Sequence, residues 1–330
     1  MVKVSVCLPV FRPGGLDITF ASLRDQNFKD FELILVDRRY EKRHQEVMDV
    51  AKKYGVRTVH VPEHRRNGKW ATVASAWNTA AMLAEGEILL MSPDYCYLPP
   101  DWIERHVSHH NGSRRMVLSR YVFFNLPPVV DKLGNEVEVP PAELASSLPP
   151  GVQDGVGDSY GEISIFREPF CFSMIENSVS WPDSLQCPRY TLTQNSDSLC
   201  DHVHFRNESM PLNYFLEMNG LDENMDKGKS HIDYEFGRRA RAYGFEFVVD
   251  RENIAFILNP RTLFPTLPQG QKEPGRWSYQ MCESYALDAG NRPAPNPYLL
   301  SKRREILSKW RNMDFIPTEE LEIPDHLYYR

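Results

Sequence analysis

From Val4 to Met91 the chain alternates short runs of β-branched and aliphatic residues with stretches whose apolar positions recur at helical spacing. That alternation constrains the fold more than any other feature. Runs at 4–9, 31–36, 56–61 and 87–91 read as strands. Between them, Leu16, Phe20 and Leu23 share one helical face, as do Val47, Val50, Ala51 and Tyr54, and then Ala74, Trp77, Ala81 and Ala84. Strands alternating with amphipathic helices predict βαβ units around a mostly parallel sheet flanked by helices. The near-continuous apolarity of Glu32-Leu-Ile-Leu-Val36 suits a strand covered on both faces. Ligands of such sheets gather outside the carboxyl ends of the strands. The segments 9–12, 37–38, 62–69 and 92–94 are thereby singled out.

A chain of 330 residues can bury a core without disulfide staples, as one large α/β domain or two modest ones. Its 42% hydrophobic and 25% charged residues are ordinary for a globular protein. No apolar run approaches the roughly 20 residues of a membrane span, and the N-terminus reads as a first strand, not a signal peptide. The six cysteines are scattered without a CxxC pair, so reduced thiols and a cytoplasmic location are expected, with peripheral attachment to a membrane as a variant. A net charge of −7 excludes broad affinity for nucleic acid through the whole surface.

Beyond the alternating region, 101–109 reads as a short helix and 116–124 as a strand. Residues 125–161 are rich in Pro and Gly and predict a long surface excursion or lid. The stretch 162–210 has no clear period. Helices are predicted at 211–219, ended by Gly220, and at 232–243, ended by Gly244, with a strand at 245–249. The Pro-rich tail carries a basic helical stretch, 301–311. Its cations read as a solvated face, with an anionic acceptor or membrane surface as the alternative.

The order of segments resembles the inverting family 2 glycosyltransferases of the GT-A fold. Val4-Ser-Val-Cys-Leu-Pro9 is similar to that family's opening strand. Ser22-Leu-Arg-Asp-Gln-Asn-Phe28 and Phe31-Glu-Leu-Ile-Leu-Val-Asp37 are similar to its first helix and second strand. Asn67-Gly68, Ala76-Trp-Asn78, Ala84-Glu-Gly-Glu87 and Leu98-Pro-Pro-Asp-Trp102 continue the match. Glu217-Met-Asn-Gly-Leu-Asp-Glu223 and His231-Ile-Asp-Tyr-Glu235 resemble the signature of the acceptor half. The resemblance implies a Rossmann-like α/β sheet with a loop-rich C-terminal extension. It divides the chain into a donor-binding half, 1–105, an acceptor-binding and catalytic half, 106–258, with its excursion at 125–210, and an extension, 259–330.

It also implies a glycosyl transfer from a nucleotide-diphosphate sugar to an acceptor hydroxyl, assisted by Mn²⁺ or Mg²⁺. The family's Asp-rich motif after the fourth strand corresponds here to Ser92-Pro93-Asp94, so Asp94 is the expected metal ligand, with Ser92 and Pro93 beside the donor. Its late acidic pair corresponds to Ile232-Asp233, which makes Asp233 the expected catalytic base. Glu235 lies about 200° further round the helix and is expected in a helical salt bridge. Asp37, followed by Arg38 where the family has a second acid, is expected at the nucleoside, with the main chain of Pro9 and Val10 and the side chains of Phe11 or Arg12 lining the base pocket. Asn78 is expected to brace the loop near the donor. Each acid also has a plain structural reading: Asp94 as a turn residue beside Pro93, Asp37 as a strand-end turn residue, Asp233 as a complement to the helix dipole.

The cations of His64-Arg-Arg-Asn-Gly-Lys69 follow the third strand, which makes Arg66 and Lys69 candidates for the diphosphate. In a strand, His202 and His204 would share one face, but no third ligand has zinc-like spacing. Trp181, Trp277, Tyr279 and Tyr285 could stack on a sugar or simply pack. Two rivals stand beside the transferase reading. A sugar-1-phosphate nucleotidyltransferase needs a Gly-rich phosphate loop, for which Phe11-Arg-Pro-Gly-Gly15 is a poor substitute because Pro13 lacks an amide donor. A non-catalytic nucleotide-sugar-binding protein must explain why Asp94 and Asp233 are both kept. The acceptor class (glycan, lipid-linked sugar, protein or nucleobase) and self-association into a homo-oligomer stay open.

Overall fold

The computed structural model describes residues 2–11, 16–62, 65–66, 69–70, 73–92, 96–124, 197–227, 231–258, 278–288, 290, 293–296 and 300–316. Strand β1 (Val4–Val10) leads to helix α1 (Leu16–Arg24), β2 (Phe31–Asp37), α2 (Tyr40–Tyr54) and β3 (Thr58–Pro62). Two short strands, β4 (Arg65–Arg66) and β5 (Lys69–Trp70), form a separate antiparallel ladder. Helix α3 (Val73–Leu83) then returns to β6 (Ile88–Met91), followed by β7 (Cys96–Tyr97), α4 (Trp102–Ser108) and β8 (Arg115–Phe124). After the excursion come β9 (Glu208–Pro211), α5 (Leu212–Glu217), α6 (Ile232–Ala242), β10 (Glu246–Leu258), α7 (Tyr279–Leu287) and α8 (Leu300–Leu307).

One eight-stranded sheet carries the fold, in the order β3-β2-β1-β6-β9-β8-β10-β7. The pairs β1–β2, β2–β3, β1–β6 and β8–β10 are parallel, whereas β9 runs antiparallel to both its neighbours and β7 to β10. Both faces are covered, and the period-2 alternation of a strand sorts its residues between them. Ile34, Val36, Leu89 and Met91 join a core with Trp77, Phe215, Phe236 and Trp310. Leu33, Leu35, Ile88 and Leu90 join a second core with Phe20, Val47 and Trp102. No helix among the described residues is long and apolar enough to cross a membrane.

Several boundaries differ from those the sequence predicts. Strand β3 starts at Thr58 because the end of α2 claims the preceding residues: Gly55 adopts φ +65° and the Val56 amide bonds to the Ala51 carbonyl. Pro211 belongs to β9, and the helix after it stops at Glu217, before the left-handed pair Asn219 (φ +59°) and Gly220 (φ +65°). Strand β9 itself was not predicted, since Glu208 and Ser209 give it no apolar pattern. It is buried nonetheless, because Glu208 accepts from the amides of His204 and Phe205, and Ser209 meets His106 and His110.

The basic stretch near the C-terminus corrects the reading of a solvated face. Arg303 forms a buried ion pair with Glu223 at 2.6 Å, Arg304 donates to the Ala84 carbonyl, and Arg311 pairs at 2.6 Å with Glu32, a carboxylate buried in β2. Leu300, Leu307, Trp310 and Ile316 join the first core beside them. The described part of the C-terminal stretch is therefore built into the main body. Its helix also tightens after Leu307 into a 3-10 turn, Ser308–Asn312, where Ser308 Oγ donates to the Glu305 carbonyl.

Candidate active site

Parallel pairing aligns the carboxyl ends of β1, β2, β3 and β6. Val10 lies opposite Asp37, Asp37 opposite Pro62, and Cys7 opposite Met91. Pro9 and Val10 are buried in β1, and the Ser92 amide donates to the Cys7 carbonyl, so the chain leaving β6 starts at the same edge. Ser92 is buried, its Oγ 3.5 Å from Cys96 Sγ. Arg12, Pro93 and Asp94 lie outside the described residues. Arg66 and Lys69 face each other across the β4–β5 ladder, and their side chains also fall outside the description.

Asp37 is wholly enclosed. Its Oδ1 accepts from the Arg39 amide at 2.7 Å and Arg43 Nη2 at 2.8 Å, and its Oδ2 from Arg43 Nε at 2.6 Å and His60 Nε2 at 2.9 Å. A carboxylate offers about four lone-pair sites, and all are taken. Burial works to raise its pKa, but the hydrogen bonds from His60 and Arg43, with the Arg43 charge, outweigh that and hold it at about 2. His60 moves down, chiefly by burial. A nucleoside that bonded to Asp37 would have to displace one of these donors. What stands beside it at the strand ends is Phe11, half-buried, with the Arg38 guanidinium 4.8 Å from its ring centre.

On the other side of the sheet's midline, Asp233 occupies the first turn of α6 with its side chain 37% exposed. One oxygen accepts from the Tyr234 amide, and the other lies 3.5 Å from His204 Nδ1. Glu235 has a different fate: it is buried and pairs with Arg239 at 2.7 Å, while that guanidinium also donates to the carbonyls of Met218 and Gly220. His202 and His204 do not share a strand face. His202 ends a 3-10 turn, Asp197–His202, and His204 sits in the loop after it, because the loop amides are gathered by Glu208.

That loop links the two sides. Met91, at the end of β6, pairs with Glu208, and the Asn207 amide donates to the Met91 carbonyl. His204 is bound through its amide to Glu208 and faces Asp233. Contacts thus run from the carboxyl end of β6, where the segment 92–94 begins, to Asp233. In the sequence His204 stands out only beside His202, a pair without a third ligand of zinc-like spacing, and Glu208 does not stand out at all. A carboxylate in a buried strand has no signature until its donors are known.

Asn78 is fully buried in α3. It donates to the Leu221 carbonyl and Glu223 Oε1 and accepts from the Leu221 amide, so it ties α3 to the segment 219–223. Asp226 adds a second tie, accepting from the amides of Ala74 and Ser75 at the start of α3. Gly220 closes this junction: a Cβ there would lie 2.3 Å from Asn78 Oδ1 and from Leu300 Cδ1. Tyr285 spends its hydroxyl on Asp222 at 2.5 Å. Trp181 and Trp277, and the side chain of Tyr279, lie outside the described residues.

Divalent Mn²⁺ or Mg²⁺ calls for oxygen ligands. Among the described residues no three His, Cys, Asp or Glu side chains gather into a metal site. Asp94, the acid that follows β6 in the sequence, lies outside the described residues.

Residues 5–168 match the model of the glycosyl transferase family 2 domain. No curated protein matches the chain. Among solved structures, the crystal structure of S. aureus TarS 1-349 aligns over 95% of this chain and 71% of that one, with 12% identity and a TM-score of 0.48. The same protein in complex with UDP-GlcNAc aligns over 97% and 77%, with 14% identity and a TM-score of 0.48.

Proposed function

This chain belongs to glycosyl transferase family 2, and from that premise we propose that it transfers a sugar from a nucleotide-diphosphate sugar to an acceptor hydroxyl with inversion, using Asp233 as general base. The observation that carries the reading is the contact chain from Met91 through Glu208 and His204 to Asp233. It supports a single site in which the segment after β6 meets the donor and the first turn of α6 meets the acceptor.

Asp233 suits the base because it is the open acid of its turn. Glu235, two residues on, is buried and neutralised by Arg239. In the reaction, Asp233 takes the proton of the acceptor hydroxyl as that oxygen bonds to the anomeric carbon. The bond from that carbon to the phosphate oxygen breaks on the opposite face, and the nucleoside diphosphate leaves with the electron pair. Asp94 would hold Mn²⁺ or Mg²⁺, which when bound neutralises charge on the leaving diphosphate. The base platform is Phe11 with Arg38 stacked on it, and Asp37 supports the pocket from behind as part of a closed ion cluster.

The test is product analysis by NMR after incubation with a panel of nucleotide sugars and Mn²⁺ or Mg²⁺. Inverted anomeric configuration in a product that Asp233→Asn no longer forms is the expected result. Retention of configuration, or full turnover by Asp233→Asn, overturns the assignment. Lack of thermal stabilisation by every nucleoside diphosphate tried with the metal would favour a protein that does not bind nucleotide sugars.

A further inference from the structure

Asp37 begins a relay that reaches the described end of the chain. His60 Nε2 meets Asp37 Oδ2 at 2.9 Å, His60 Nδ1 meets His44 Nδ1 at 3.1 Å, and His44 Nε2 meets the main-chain carbonyl of Asp314 at 2.7 Å. The two imidazoles stack at 5.1 Å with an interplanar angle of 14°. Tyr40 lies against both rings and against Phe315, and its hydroxyl accepts from the Ile316 amide at 2.9 Å.

The protons in this relay can be counted. Both outer partners, a carboxylate and a carbonyl, are acceptors only, so each outer ring nitrogen must carry a proton. The central nitrogen-to-nitrogen contact needs one more. Three contacts need three N–H groups, and two neutral imidazoles supply two. We infer that the His44–His60 pair holds one extra proton when residues 314–316 are docked, and that this shared imidazolium is the latch fixing the C-terminal segment to the donor half.

The proton resides on His44. His60 is enclosed beside the Arg43 guanidinium, and although Asp37 faces it too, burial opposes a charge there. Neutral His60 then bonds through Nε2–H to Asp37 and accepts at Nδ1. His44, half-buried on α2, donates from both nitrogens. The groups facing the pair are Asp37 from β2, Arg43 and Tyr40 from α2, and Asp314 and Phe315 from the C-terminal segment. When His44 loses its proton, one contact loses its hydrogen. The outer one to Asp314 is the one to give way, since His60 remains held in the core. Docking therefore takes up one proton and weakens as pH rises through the imidazole range.

The experiment is hydrogen exchange on the full chain, read as protection factors of the amides of 313–316 between about pH 5.5 and pH 8.5. One linked proton predicts protection that falls up to about tenfold per pH unit on the alkaline side. His44→Gln, which can still donate to Asp314 but cannot titrate, should flatten that slope. Tyr40→Phe should lower protection at every pH while keeping the slope. At the acid end, ¹⁵N spectra should show one imidazolium and one neutral ring protonated at Nε2. Flat protection in the unmodified protein, an undiminished slope in His44→Gln, or two neutral rings at the acid end would overturn the latch. None of these readouts depends on transferase activity.

Discussion

Two carboxylates, Asp37 at the end of β2 and Asp233 in the first turn of α6, have opposite circumstances. Asp37 is sealed among Arg43, His60 and the Arg39 amide, with no exposed side-chain surface, whereas Asp233 is more than a third exposed and lies 3.5 Å from the His204 imidazole. A saturated carboxylate is a strong structural anchor and a poor base, because its lone pairs are committed and its protonated form is disfavoured. An open carboxylate adds little to stability and is free to accept a proton. On the function proposed above, rigidity lies on the donor side and proton chemistry on the acceptor side.

Reversing the two roles is the most direct way to break the comparison. Asp233→Asn should lower kcat by about 10²- to 10⁴-fold, the usual range for a lost general base, while thermal denaturation stays near that of the parent. Asp37→Asn should do the converse, costing about 3–5 kcal/mol in chemical denaturation because Arg43 is left as an unpaired buried charge. Equal effects of both substitutions on stability would end the distinction.

Acid titration sharpens the same point. Asp37 has its pKa lowered to about 2 in the folded protein, below the unfolded value of about 3.9. Its contribution is fully present above pH ~4 and is lost as pH falls towards ~2. Acid unfolding of Asp37→Asn should lose that steepness over the same window. Smaller again is the junction that joins the halves. Gly220→Ala forces a left-handed residue and a contact onto Asn78 and Leu300, and should cost roughly 1–3 kcal/mol by calorimetry. The exposed pair Arg115–Glu246 marks the lower end: Glu246→Gln should change stability by less than about 1 kcal/mol.

The first four sheet strands after the N-terminus could be read because they are buried on both faces, so their apolar runs stand out between amphipathic helices. Strand β9 could not. Its polar residues are tolerated only because Glu208 finds the amides of His204 and Phe205, and those donors are made by folding. The same holds at the sites. Asp37 was recognisable at the end of a strand, but its saturation depends on Arg43 one helix later and His60 one strand later. The polar His60 between Val59 and Val61 was the available hint. Asp233 could be separated from Glu235 by helical angle, yet only the Arg239 pair reveals why Glu235 is withdrawn.

The sequence by itself determined the layered α/β architecture and the family to which residues 5–168 belong, because hydrophobic period and short segment motifs are local properties. Tertiary structure alone decided which charges are spent and which stay available. Arg303, Arg304 and Arg311 look like a solvated face until Glu223, Ala84 and Glu32 are brought to them. The value of a charge depends on its desolvation and its partners, and both come from segments far apart in the chain.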